Sequence, residues 1–134
     1  MRSIAVLIGG AVGALSRWGV GLLLPTSASG FPLATFVVNM SGAFGLGIAG
    51  VVLTERMVPK PYMRPLVGIG FFGAYTTFST MALDGIRLLD SGHAATGLTY
   101  WILTLIVGQM AGVYGMWLGR LEFSRRGGLD EARG

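Results

Sequence analysis

Long apolar stretches alternate with short polar connections along this chain, and the spacing predicts four helices. Ile4 to Leu24, Leu33 to Leu53, Leu66 to about Ala82 and Ala95 to Leu118 form the apolar stretches, so the spans are placed at about 4–24, 33–53, 66–82 and 95–118. A hydrocarbon core roughly 30 Å thick takes about 20 helical residues to cross, and each stretch is apolar enough to do so. The first carries one internal arginine and the third a polar middle. Helix-breaking residues separate them: Pro25 to Pro32 is small and polar, and Val58 to Pro65 holds three prolines with Lys60 and Arg64. Asp84 to His93 is expected to be a connection turning at Ser91-Gly92, and 122–134 a charged tail that frays. The expected fold is all-α: residues 1–134 form a single four-helix transmembrane domain in the lipid bilayer, multi-pass in the cell membrane.

Composition agrees, with 52% hydrophobic residues, 12% charged residues and a mean hydropathy of +0.66. No cysteine is present, which removes a disulfide framework and a thiolate metal site, and His93 alone builds no metal site. A cleavable signal peptide is a competing reading of Met1 to Leu24, but its basic region is only Arg2 and three more spans follow. A pI near 10.1 would suit nucleic acid, yet the basic residues lack interleaved aromatics and sit beside spans, so no nucleic-acid partner is expected. Topology accounts for them. With four spans, Arg2, Arg56, Lys60, Arg64, Arg120, Arg125, Arg126 and Arg133 share one side, against Arg17 and Arg87 near the other. The positive-inside rule makes the first side, with both termini, cytoplasmic.

Lipid gives helices no hydrophobic reason to associate, so small residues that admit close backbone approach must carry much of the packing. Gly9 with Gly13, Gly108 with Gly112, Gly115 with Gly119 and Ala43 with Gly47 are spaced for it. Four short helices enclose little volume, so a water-filled pathway calls for a dimer. Trp18, Trp101 and Trp117 read as interface anchors, and Gln109 and Tyr114 as inter-helix contacts.

Polar side chains at depth are costly, so the few present are the informative ones. Asn39 puts one carboxamide in an apolar helix, either as a helix-to-helix hydrogen bond worth about 0.6 kcal/mol or as a donor facing an anion. In the third span Gly68, Gly70 and Gly73 precede four hydroxyls in the five residues Thr76-Thr77-Phe78-Ser79-Thr80. Glycine lowers helix propensity and hydroxyls compete for carbonyls, which predicts a break near Gly73 to Thr77, the alternative being a kinked helix with self-satisfied hydroxyls. Freed carbonyls there suit a bare cation, and freed N–H groups or hydroxyls an anion. Tyr100, Thr104 and Gly108 share one face of the fourth span and align two hydroxyls. Arg17 sits within snorkelling reach of the surface, to draw anions into a vestibule or to anchor its helix. Nothing supports an enzyme: no His, Cys or carboxylate lies at mid-membrane depth, and Ser79 has no evident general base.

The runs Gly10-Ala11-Val12-Gly13-Ala14-Leu15-Ser16-Arg17, Asn39-Met40-Ser41-Gly42 and Gly70 through Thr80 resemble the Fluc/CrcB fluoride channels, a resemblance that extends over all four spans. It implies passive fluoride export and fluoride resistance by a dual-topology, antiparallel dimer with two fluoride pores and one structural sodium ion at its centre. By position, it implies a sodium site made of the backbone carbonyls of Gly73 and Thr76 from both subunits. It also implies an anion path in which Phe78 presents its ring edge alongside Thr80, Asn39 supplies an amide, Tyr100 and Thr104 supply hydroxyls, and Arg17 lines the entry. The family usually has a second Phe three residues after the first. This chain has Met81 there, so either its thioether lines the pore or the subunit contributes one ring fewer. The biased arginine and lysine count adds an expectation of its own: a homodimer inserting both ways favours balance, so pairing with an oppositely oriented paralogue as a heterodimer is the alternative. A small multidrug-type transporter and a non-conducting structural membrane protein are the rivals. The first normally needs an intramembrane carboxylate, which the spans lack.

Overall fold

The computed structural model describes residues 1–24, 30–56 and 60–131, with side chains at all of these except 56 and 122–131. Four helical stretches are long and apolar enough to cross a membrane: Arg2–Leu23, Leu33–Glu55, Pro65–Asp90 and Ala94–Leu121. The chain is therefore a multi-pass membrane protein, with no strand among its described residues.

Helix α1 (Arg2–Leu23) is followed by α2 (Leu33–Val51), which starts after Pro32 and ends in a π-helical turn, Val52–Arg56. The third span opens at a proline, whose missing N–H costs nothing in a first turn. It runs as a π-helical segment, Pro65–Phe72, into the short α3 (Gly73–Tyr75). Two residues then leave helical space: Thr76 has φ −76° and ψ 158°, and Thr77 φ −148° and ψ 116°. Helix α4 (Phe78–Asp90) continues the span and α5 (Ala94–Glu131) completes the bundle.

The third span outlasts its expected end at Ala82, and Asp84 lies within helix rather than in a connection. Met81, Gly85 and Leu88 recur at helical spacing and are buried, which carries the helix on to Asp90. The turn at Ser91-Gly92 follows. Gly92 has φ +83°, its N–H donates to Leu89 O at 3.1 Å, and the His93 N–H donates to Leu88 O at 2.8 Å. These are the two bonds of a glycine-terminated helix end, and the positive φ explains the glycine. The fourth helix also continues past its expected end, with helical backbone to Glu131 where a frayed tail was expected; 132–134 lie outside the described residues, as do 25–29 and 57–59 of the two prolyl connections.

Helix contacts follow the small residues. A side chain at Gly9 would collide with the Leu66 carbonyl, and one at Gly13 with that of Phe71, so α1 lies directly against the entering half of the third span. Gly115 meets the Phe44 carbonyl and Gly47 that of Gly112, which brings α5 equally close to α2. Gly85 makes room for the indole of Trp101, whose Nε1–H donates to Met81 O at 3.2 Å. Trp101 thus packs inward, unlike the exposed Trp18 and Trp117. Tyr114 stacks on Phe44 with ring centroids 6.0 Å apart, an inter-helix contact, whereas Gln109 is exposed and makes no hydrogen bond among the described residues.

Candidate functional site

Thr76 and Thr77 lie about halfway along the third span, where a backbone group without a partner is costly. Partners come from α2 and from the threonines themselves. The Thr77 N–H donates to Asn39 Oδ1 at 2.8 Å, and Asn39 Nδ2 donates to Thr77 O at 3.0 Å. Thr77 then caps α4, its Oγ1 accepting from the Thr80 N–H at 3.1 Å and donating to Thr80 Oγ1 at 2.9 Å. Thr76 turns its Oγ1 back to Phe72 O at 2.8 Å.

Two carbonyls lose their helical donors through these exchanges. In a continuous helix the Thr77 N–H would serve Gly73 O and the Thr80 N–H would serve Thr76 O. Here the first goes to Asn39 and the second to Thr77 Oγ1. Among the described residues no group of three or more His, Asp or Glu is placed to hold a metal ion.

A cavity of about 360 Å³ opens beside the interruption, with Asn39, Thr77, Phe78, Met81 and Thr104 in its wall. None of its described lining residues is charged. Thr104 is 5% exposed and Tyr100, one turn earlier on α5, is 0% exposed. Both hydroxyls are buried: that of Thr104 has no hydrogen-bond partner among the described residues, and that of Tyr100 lies near Thr35 and Asp84 without a well-formed bond. An unsatisfied buried polar group costs about 1–3 kcal/mol, so the Thr104 hydroxyl is expensive there unless a guest uses it. The Tyr100 ring is held edge-on to Phe31, with centroids 5.4 Å apart and planes at 89°. Asn39 retains one N–H of its Nδ2 beyond the bond to Thr77, and the first turn of α4 presents the positive end of its dipole.

A second cavity, of about 370 Å³, is lined by Thr35, Thr80, Asp84, Arg87 and Ser91 among others. Thr35 Oγ1 donates to Asp84 Oδ2 at 2.8 Å, and Arg87 Nη1 lies 3.8 Å from Asp84 Oδ1. The Thr77–Thr80 hydroxyl bond connects the two cavity walls, since Thr77 lines the first and Thr80 the second.

A family model described as CrcB-like protein, Camphor Resistance (CrcB), matches residues 4–116, which reaches into all four spans. The chain belongs to the CrcB family. CrcB relatives include the fluoride-specific ion channel FluC 3 of Streptomyces avermitilis, 41% identical over 122 residues, which are 91% of this chain and 60% of that relative. The fluoride-specific ion channel FluC of Hydrogenobaculum sp. is 40% identical over 121 residues, 90% of this chain and 99% of the relative. The protein of the same name from Saccharophagus degradans is 38% identical over 104 residues, 78% of each chain.

In this CrcB chain Asn39, Thr76, Phe78, Met81 and Thr104 share the first cavity, with Phe78 75% exposed and Met81 7%. Thr80 lines the second cavity instead, and Tyr100 is sealed one turn from Thr104. Gly73 stands three residues before Thr76 with its carbonyl released. Arg17 is half-buried on α1 and lines neither cavity. Thr77 was part of the hydroxyl run but gave no sign of its part as joint between α2 and α4. Thr35 and Asp84 are 49 positions apart, so their pairing leaves no local pattern in the sequence.

Proposed function

We propose that this CrcB-family chain is one subunit of a fluoride-selective channel through which fluoride leaves the cell passively. The observation that carries the reading is the buried, unpartnered hydroxyl of Thr104 in the wall of an uncharged cavity, with the buried Tyr100 hydroxyl one turn away. The relatives' names supply the ion. Fluoride is small and holds its water strongly, so the path must offer hydrogen-bond donors in place of that water. It must also lack a fixed positive charge that would trap the ion. Tyr100, Thr104 and the second N–H of Asn39 are such donors, and Phe78 offers a positive ring edge. Arg17 draws anions toward the entry. The larger chloride ion gains less from a narrow file of hydroxyls. Passive flow suffices because fluoride enters from acidic surroundings as neutral hydrofluoric acid and ionises inside.

In the same proposal two subunits pair in opposite orientations, and the Gly73 and Thr76 carbonyls of both face a sodium ion. The released carbonyls fit that role, since a hard cation takes oxygen donors. Sodium would supply charge to hold four carbonyl dipoles together, a structural contribution. Lysine and arginine lie eight to two across the chain's two sides, which supports a partner of the opposite bias over a homodimer. Reconstitution into liposomes with an ion-selective electrode tests the function: rapid fluoride efflux with chloride retained supports it, and no flux in any pairing removes it. Efflux only with a paralogue supports the heterodimer, and robust flux from this chain alone overturns it.

A further inference from the structure

Away from the polar cavities, where the first and third spans begin, a cavity of about 450 Å³ is lined by Arg2, Lys60, Pro61, Arg64 and Pro65. Its three cations come from two stretches of backbone: Arg2 is the first residue of α1, and Lys60 and Arg64 lie in the turn that leads into the third span. None of the three is paired with a carboxylate among the described residues; the ion pairs there are Arg87 with Asp84 and Arg120 with Glu55. Arg64 is fixed in place by its Nε–H, which donates to Leu53 O at 3.0 Å and leaves its Nη groups to face a guest. Three like charges held around one hollow repel one another, and an anion reverses the sign of that interaction. Position favours a particular anion. Arg2 opens the first span and Pro65 the third, so the hollow stands at the membrane edge, at the level of lipid headgroups. A forked guanidinium and a mobile ammonium together suit a phosphate diester.

We infer that this pocket binds the headgroup phosphate of an anionic phospholipid. Basic pockets between spans on the side of excess positive charge hold such lipids, each cation contributing about 1 kcal/mol, or roughly five-fold in affinity. The inference is independent of the ion the chain conducts, because it uses none of the residues around Asn39 and Thr77.

The test is native mass spectrometry of the full chain in detergent, titrated with phosphatidylglycerol, phosphatidylcholine or inorganic phosphate. The expected result is retention of phosphatidylglycerol over phosphatidylcholine, with affinity falling about twenty-five-fold in Arg2→Gln/Lys60→Gln. That double variant leaves the Arg64 bond to Leu53 untouched, and Arg126→Gln/Arg133→Gln removes the same two charges from other positions as the control. Unchanged phosphatidylglycerol affinity in the double variant overturns the proposal, as does an equal loss in the control. Displacement of the lipid by inorganic phosphate also overturns it, by making the pocket a site for the free anion.

Discussion

Asn39 and Thr77 are joined by two opposed hydrogen bonds, of 2.8 and 3.0 Å, in which a side-chain amide takes the place of a neighbouring peptide group. Only the carboxamides, of Asn and Gln, offer a donor and an acceptor in this arrangement. Of the two readings of Asn39 drawn from the sequence, the bond between elements is the one seen; the residue also lines the first cavity.

Asn39→Asp keeps an acceptor for the Thr77 N–H but sets a second oxygen against the Thr77 carbonyl and adds negative charge beside the cavity. Fluoride flux in liposomes is expected to fall by at least about 100-fold, the equivalent of roughly 2.7 kcal/mol in barrier height. Unaltered flux would take Asn39 off the ion path.

Thr104→Val separates function from stability. Removing a buried hydroxyl that has no partner relieves a cost of about 1–3 kcal/mol, so thermal unfolding in detergent should shift upward or stay level. Flux should drop. A variant that is both less stable and fully conducting would show that the hydroxyl serves packing.

Gly115→Val and Gly13→Val place side chains against the carbonyls of Phe44 and Phe71. Each is expected to cost about 1–3 kcal/mol or more, seen as a lower unfolding temperature and loss of the monodisperse peak on gel filtration. Gly19→Val is the contrasting case, since nothing lies within 4 Å of a side chain there. Its profile should match the parent.

Topology is tested with Asp130→Cys in intact cells. The lysine and arginine bias puts both termini in the cytoplasm, so a membrane-impermeant thiol reagent should label the cysteine only after permeabilisation. Labelling of a large fraction from outside would show insertion in both orientations.

The four spans were legible because about 20 apolar residues between prolyl connections leave few other structures available, and their starts agree with the observed helices to within two residues. Ends were less so. Asp84, Arg87 and Asp90 read as a connection by charge, yet Met81, Gly85 and Leu88 keep one face buried and hold them in helix. The glycine and hydroxyl pattern of 68–80 pointed to the stretch where Thr76 and Thr77 are extended, since local propensity is written in local residues. What lay out of reach was pairing across the bundle. Nothing near Trp101 reveals that its indole fills the space at Gly85, and nothing near Asn39 reveals that both ends of its amide are taken up by a residue 38 positions later.

That last bond bears on what holds the third span open. Without α2 alongside, the third span has no Asn39 within reach, and its Thr77 N–H loses the partner it has here. The extended geometry of Thr76 and Thr77 becomes affordable once α2 stands alongside to exchange partners. The interruption of the third span, and with it the release of the Gly73 and Thr76 carbonyls, therefore depends on the second span standing beside it.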